Sequence, residues 1–291
     1  MRGAATVTRK SISWLLALAA LLLVFGAWQW RGRAAVDANA VLVAGGDGGG
    51  LPRAAAVTEG FDASALQAAA ELARRQSLSE LLVMRHEHLV LEQYAGGADA
   101  ETLVDGGAFA NTVVMLAAGI GVAQYGLAVS ALESFEPAAL TAAIATASGQ
   151  SFPRFLSQNL WQPLNAAPAQ WSGSTMRARG SDWLRVAGLL LHDGRFEGTQ
   201  IVPVGWALRI RRPVTAAGAE PFAAEDVYFL RGPGATRLWL VPRFEVAILG
   251  VGAAPFAGVV DETRLPNSII RALRDRQSST GVSLNDLVPG H

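Results

Sequence analysis

Asp105-Gly-Gly-Ala-Phe-Ala-Asn-Thr-Val-Val-Met-Leu-Ala-Ala-Gly-Ile-Gly-Val-Ala123 is the stretch on which the fold turns. The pair Gly106 and Gly107 breaks the backbone, and from Phe109 to Ala123 the residues are apolar on nearly every side with no charge. A soluble helix that is apolar all round has to be buried. The stretch therefore predicts a central helix over 109–123 whose first turn emerges from a glycine turn. The N–H groups of a first turn lack helical partners and favour developing negative charge, which makes such a turn a good place for a nucleophile. Here it offers only Ala108, Phe109, Ala110, Asn111 and Thr112, with no acid, base or activated nucleophile among them.

On either side of this helix the patterns alternate between helix and strand. Asp62 is a good N-cap for a helix running to Gln76, with Phe61 placed to staple against Leu66. Glu80 to Met84 and Leu89 to Tyr94 read as strands, joined through Arg85-His86-Glu87-His88. His86 and His88 have the spacing of metal ligands on one strand face, but no third ligand of the usual kind lies nearby, so a polar hairpin tip is preferred. A helix over 136–148 carries Pro137 at its first position, a favoured place for proline, and another covers 152–160. Ser181-Asp182 is expected to cap a helix through Leu191, with His192 against its end carbonyls. Residues 203–212 read as a short helix, 225–230, 237–241 and 245–252 as strands, and 261–276 as a last helix. This order predicts an α+β fold: one antiparallel sheet flanked by the N- and C-terminal helices, with a helical subdomain beside it.

Composition narrows the partners. The hydrophobic share is 51% and the net charge is +0, which argues against a nucleic-acid partner, since that would need a basic face, and against long disorder. With Cys at 0, thiolate catalysis, disulfides and cysteine-held metals are excluded, and no cofactor is expected. Lys10 is the one lysine in the chain.

Lys10 precedes an uncharged run, 11–30, long enough to cross a bilayer at about 1.5 Å per residue. Trp14 near one end and Trp28 and Trp30 at the other fit an interfacial aromatic belt. Ala38-Asn39-Ala40 offers a cleavage site for the alternative, a signal peptide, but Arg31 and Arg33 separate it from the apolar run. The preferred expectation is a single-pass anchor in a bacterial inner membrane: 1–10 a cytoplasmic tail, 11–30 the transmembrane helix, 31–58 a linker, 59–276 a domain facing the periplasm, and 277–291 a mobile tail. Gly45-Gly-Asp-Gly-Gly-Gly50 lacks the preceding strand and following helix of a phosphate loop, so it is assigned to the linker.

Between Gly60 and Arg276 the chain resembles the beta-lactamase-related serine hydrolases, which include class C beta-lactamases, penicillin-binding-protein-like peptidases and esterases. The likeness rests on Gly60-Phe-Asp62, on Leu81 to Tyr94, on Ser148-Gly-Gln-Ser-Phe152 with Leu160-Trp-Gln-Pro-Leu164, and on Asp182-Trp183 leading to His192-Asp-Gly-Arg-Phe-Glu-Gly-Thr-Gln-Ile-Val-Pro203 and Trp206. The resemblance implies a Ser-x-x-Lys at the start of the central helix, a Tyr- or Ser-x-Asn on a neighbouring loop, and a Lys- or His-x-Gly on a sheet strand. These positions fall on Ala108 and Asn111, near Leu132-Glu133-Ser134, and near Pro233-Gly234-Ala235. None keeps its reactive group, and the helical segment between the first two is shortened. The expectation is a degenerate site near Ala108, Asn111, Ser134 and Gly234 in a catalytically inactive protein that binds a cell-wall fragment, a peptide or a protein partner. An active hydrolase with relocated residues and a structural scaffold are the alternatives.

Overall fold

A computed structural model describes residues 39–132, 136–211, 215–253 and 260–274. The expected anchor over 11–30 lies outside the described residues. No described helix is long and apolar enough to cross a membrane. Two units divide the chain, Met1–Ala40 and Val41–His291, and the second holds the whole described fold apart from Asn39 and Ala40.

In chain order its elements are β1 (Val41–Val43), α1 (Ala63–Arg75), β2 (Leu78–Arg85), β3 (His88–Tyr94), β4 (Leu103–Asp105), α2 (Phe109–Tyr125), α3 (Pro137–Ser148) and α4 (Phe152–Leu156). They continue with β5 (Ala169–Trp171), β6 (Met176–Arg179), α5 (Gly180–Leu191), β7 (Arg195–Phe196), β8 (Thr199–Gln200), α6 (Trp206–Ile210), β9 (Tyr228–Arg231), β10 (Arg237–Val241), β11 (Val246–Gly252) and α7 (Arg264–Arg271). A five-stranded antiparallel sheet runs β3-β2-β11-β10-β9, so the two strand groups separated by all the central helices join as expected. Residues of β2 alternate between its faces. Leu81 and Val83 join Phe61, Leu66, Ile269 and Ile270 under α1 and α7, while Leu82 and Met84 face the α2 and α5 side. Burial on both faces is why the central strands read as continuous apolar runs.

The helix α2 begins at Phe109 as expected, and eleven of its residues are buried, among them Phe109, Val113, Leu116 and Ile120. Trp206 of α6 lies flat across it, its Nε1 donating to the Met115 carbonyl at 2.7 Å. A Cβ at Gly119 would come within 2.7 Å of the Trp206 ring. Alanine for glycine inside a helix ordinarily stabilises by up to about 1 kcal/mol. Here Gly119→Ala is expected to destabilise by about 1–3 kcal/mol through overpacking, read as a lower urea midpoint.

Three expectations need correction. Part of the linker is built into the fold: β1 pairs with β5, Gly46 N–H donates to the Ala166 carbonyl at 2.9 Å, and Leu89 N–H donates to Pro52 O at 2.7 Å. A Cβ at Gly45 would overlap the Ala166 carbonyl oxygen, so this glycine-rich segment serves close backbone approach. Asp182 does not cap α5, whose N-cap is Arg179. It sits inside the first turn, accepting from Ala167 N–H at 3.2 Å and from Arg185 at 2.9 Å, while Arg185 also donates to the Gly49 carbonyl. Burial lifts the Asp182 carboxyl to about 6, against the pull of Arg185 and the Ala167 N–H. Lastly, a second sheet, ordered β1-β5-β6-β4, joins the predicted one.

Candidate functional site

The glycine turn before α2 is fixed from both sides. Strand β4 pairs Asp105 with Arg177 of β6, and the Gly106 N–H donates to the Met176 carbonyl at 2.9 Å. Asp105 Oδ1 accepts the Gly107 N–H at 2.8 Å, and Gly107 takes φ +50°, a left-handed conformation that glycine adopts without strain. Behind the turn, Trp183 of α5 donates to the Val104 carbonyl at 3.2 Å and meets Phe109 edge-on at 5.3 Å.

Ala108 occupies the N-cap in a helical conformation and has no side chain to cap with. The turn closes on itself instead: Phe109, Ala110 and Asn111 donate their N–H groups to the carbonyls of Gly106, Gly107 and Ala108 at 2.9, 3.1 and 3.1 Å. These three donors therefore already have carbonyl partners. Ala108 is exposed, Asn111 is partly exposed, and neither can accept or release a proton near neutral pH.

Directly opposite lies the turn between β9 and β10. A Cβ at Gly107 would come within 2.8 Å of Pro233 Cδ, and one at Gly232 within 3.4 Å of the Gly106 carbonyl oxygen. The structure thus brings the Ala108 and Gly234 segments together, and it does so as a closed seam, backbone against proline ring. The N–H groups of Gly232, Ala235 and Thr236 are bound to the carbonyls of Thr236, Gly252 and Pro233. Ser134 lies outside the described residues.

A buried charge network holds the second side of the seam. Arg237 donates to the carbonyls of Gly234 at 3.0 Å and Thr236 at 2.7 Å, and its Nε meets Glu262 Oε1 at 2.7 Å. Arg231 adds contacts of 2.8 Å to each oxygen of Glu262, and the Ala217 N–H donates to Oε2 at 2.9 Å. Burial pushes the Glu262 carboxyl up, but the hydrogen bonds from Arg231, Ala217 and Arg237 outweigh it and hold the group at about 2. Its contribution to stability is present above about pH 4.5 and is lost as pH falls toward 2. An acid-unfolding limb over that window is expected, and Glu262→Gln is expected to reduce it. Sequence reading missed this network; the signal was a Gly-Pro-Gly turn with Arg231 directly before it and Arg237 three residues after it.

The histidines lie elsewhere. Successive turns of an antiparallel sheet alternate between its two ends, which puts His86 and His88 at the end opposite the seam. The His86 N–H donates to the Glu245 carbonyl, in the turn between β10 and β11, at 3.3 Å. Glu59 sits between His86 Nδ1 at 2.7 Å and His88 Nδ1 at 3.4 Å. His192 was expected against helix-end carbonyls; instead its ring lies between Glu87 at 3.0 Å and Glu245 at 3.1 Å, because the β2–β3 turn carries Glu87 to it. His86, Glu87, His192 and Glu245 line an open hollow with Arg195. Among the described residues no histidine reaches Ala108, and no group of His, Asp or Glu is arranged to hold a metal.

No protein-family model matches this sequence, and no curated protein does either. Solved structures do. A Bacillus anthracis protein assigned as a 6-aminohexanoate-dimer hydrolase superposes with a TM-score of 0.58 at 13% identity, covering 82% of this chain and 91% of that one. A Bacteroides dorei protein assigned as a beta-lactamase gives 0.56 at 12% identity, over 73% and 99%. The fold is that of the beta-lactamase-like serine hydrolases. EstCE1, a hydrolase with promiscuous acyltransferase activity, also superposes, with a TM-score of 0.52 at 12% identity over 75% of this chain and all of that one.

Proposed function

We propose that this chain is a membrane-tethered, non-catalytic relative of the beta-lactamase-like serine hydrolases that acts by binding a cell-wall fragment, a peptide or a protein partner. One observation carries the reading: the helix start that would present a nucleophile presents the methyl of Ala108, with Pro233 packed against the neighbouring Gly107. The activating base is missing too, since Asn111 holds its position and Lys10 lies before the apolar run 11–30. Loss of a nucleophile costs a serine hydrolase on the order of a million-fold in rate.

Full-length protein in detergent is expected to turn over neither a chromogenic cephalosporin nor a p-nitrophenyl ester above background. Turnover that disappears in Ser134→Ala would overturn this reading in favour of a relocated active site. Tethering has its own test: the full chain is expected in the membrane pellet and a chain without residues 1–30 in the supernatant. Equal partition of both forms would remove the anchor from the account.

A further inference from the structure

Glu80 is the charge that the strand pattern of β2 does not explain. It lies on the same face of β2 as Leu82 and Met84, pointing toward α5, and is only 2% exposed. Neither of its carboxyl oxygens has a hydrogen-bond partner among the described residues. The group is aimed at the first residue of α5: a Cβ at Gly180 would come within 2.7 Å of Glu80 Oε2 and within 2.6 Å of Leu82. The N-cap of that twelve-residue helix, Arg179, makes no side-chain capping bond. A buried carboxyl therefore sits beside a helix start that lacks a side-chain cap, and the two do not bond.

What faces Glu80 is mostly apolar. Leu82 and Leu249 share with the Glu80 carboxyl the space over Gly180, and Val251 is its cross-strand partner on β11. The titratable neighbours are Tyr94, paired with it across β3, and Asp99, whose negative charge opposes ionisation. An ionised carboxylate in such surroundings costs several kcal/mol unless donors reach it. The first-turn N–H groups of α5, which begins at Gly180 beside the carboxyl, are donors for which a carboxylate is a favourable companion. Reaching them requires the first turn of α5 to move.

Movement there is transmitted to the seam. Trp183 stands one turn into α5, and its ring packs on Gly106, where a Cβ would come within 2.5 Å of it. The same ring meets Phe109 at the start of α2. We propose that Glu80 is a proton-operated latch: while neutral it lets α5 and Trp183 hold Gly106–Gly107 against Gly232–Pro233, and when it loses its proton to solvent the first turn of α5 shifts and the seam opens. The latch acts whether or not the opened site binds a ligand.

Burial, with Asp99 adding to it, lifts the Glu80 carboxyl to about 8, so the transition falls just above neutral pH. Hydrogen exchange of the full chain, read by mass spectrometry on peptides spanning 104–112 and 229–237 and corrected for the intrinsic pH dependence, tests the latch. Wild type is expected to exchange at least about tenfold faster at pH 9 than at pH 6.5, and Glu80→Gln to show no such rise. Asp99 is exposed, and Asp99→Asn, which removes the opposing charge while keeping an acceptor oxygen, is expected to move the rise to lower pH. A flat wild-type profile, an equal rise in Glu80→Gln, or an unmoved midpoint in Asp99→Asn would each overturn the proposal.

Discussion

Glu262→Ala is expected to lower the unfolding free energy at pH 7 by about 3–5 kcal/mol, the cost of leaving a buried charge without its partner. Glu262 is 2% exposed, and Arg237, Arg231 and the Ala217 N–H all converge on its carboxylate. Removing it strands Arg237, which is 7% exposed, beneath the turn carrying Gly234. Urea unfolding followed by circular dichroism would measure the loss. Adding Arg237→Met to Glu262→Ala is expected to recover part of it, since an apolar side chain no longer needs a counter-charge. A loss within about 1 kcal/mol would mean that the network does not anchor the β9–β10 turn.

The second large effect runs along the pH axis in the opposite direction. The Glu80 carboxyl is raised from an ordinary 4.5 to about 8. Between those values the folded chain holds a proton that the unfolded chain has released, so stability falls as pH rises through the interval. The total is on the order of 4 kcal/mol by pH 8. Glu80→Gln stays neutral in both states and is expected to flatten this part of the curve, making the variant the more stable form at pH 8. Equal slopes for the two proteins between pH 5 and 8 would show that Glu80 ionises without cost in the folded state.

Much of the architecture is legible from residues because its strongest signals are long. The apolar run of α2, the Asp62 cap of α1 and the two strand groups of the five-stranded sheet each span enough residues for periodicity or length to decide them. The second sheet was not legible: Val41–Val43, Leu103–Asp105 and Ala169–Trp171 are three residues each, too short for alternation to show. The glycine-rich segment misled for a different reason. Composition suggests a tether, but Gly45 and Gly46 are small because the Asn165–Ala167 backbone passes directly over them. Asp182 and His192 have the spacing of caps, yet distant partners, Ala167 for one and Glu87 and Glu245 for the other, claim their side chains. At the candidate site, Ala108 and Asn111 could be read from the sequence alone. That Pro233 seals the gap against Gly107 could not, because the contact joins residues far apart in the chain. Glu80 was visible as the one carboxylate of its strand, but its burial beside Gly180 needed the three-dimensional structure.

On the proposed reading Ala108 stands where an attacking oxygen is needed, beside the contact of Pro233 with Gly107. Intact-mass measurement of the full chain after incubation with a fluorophosphonate, and separately with a beta-lactam, reads this most directly. The expected spectrum shows unmodified protein in both cases. A stable adduct that peptide mapping places on Ser134, Thr112 or any other hydroxyl would contradict the inactive reading and establish a working nucleophile.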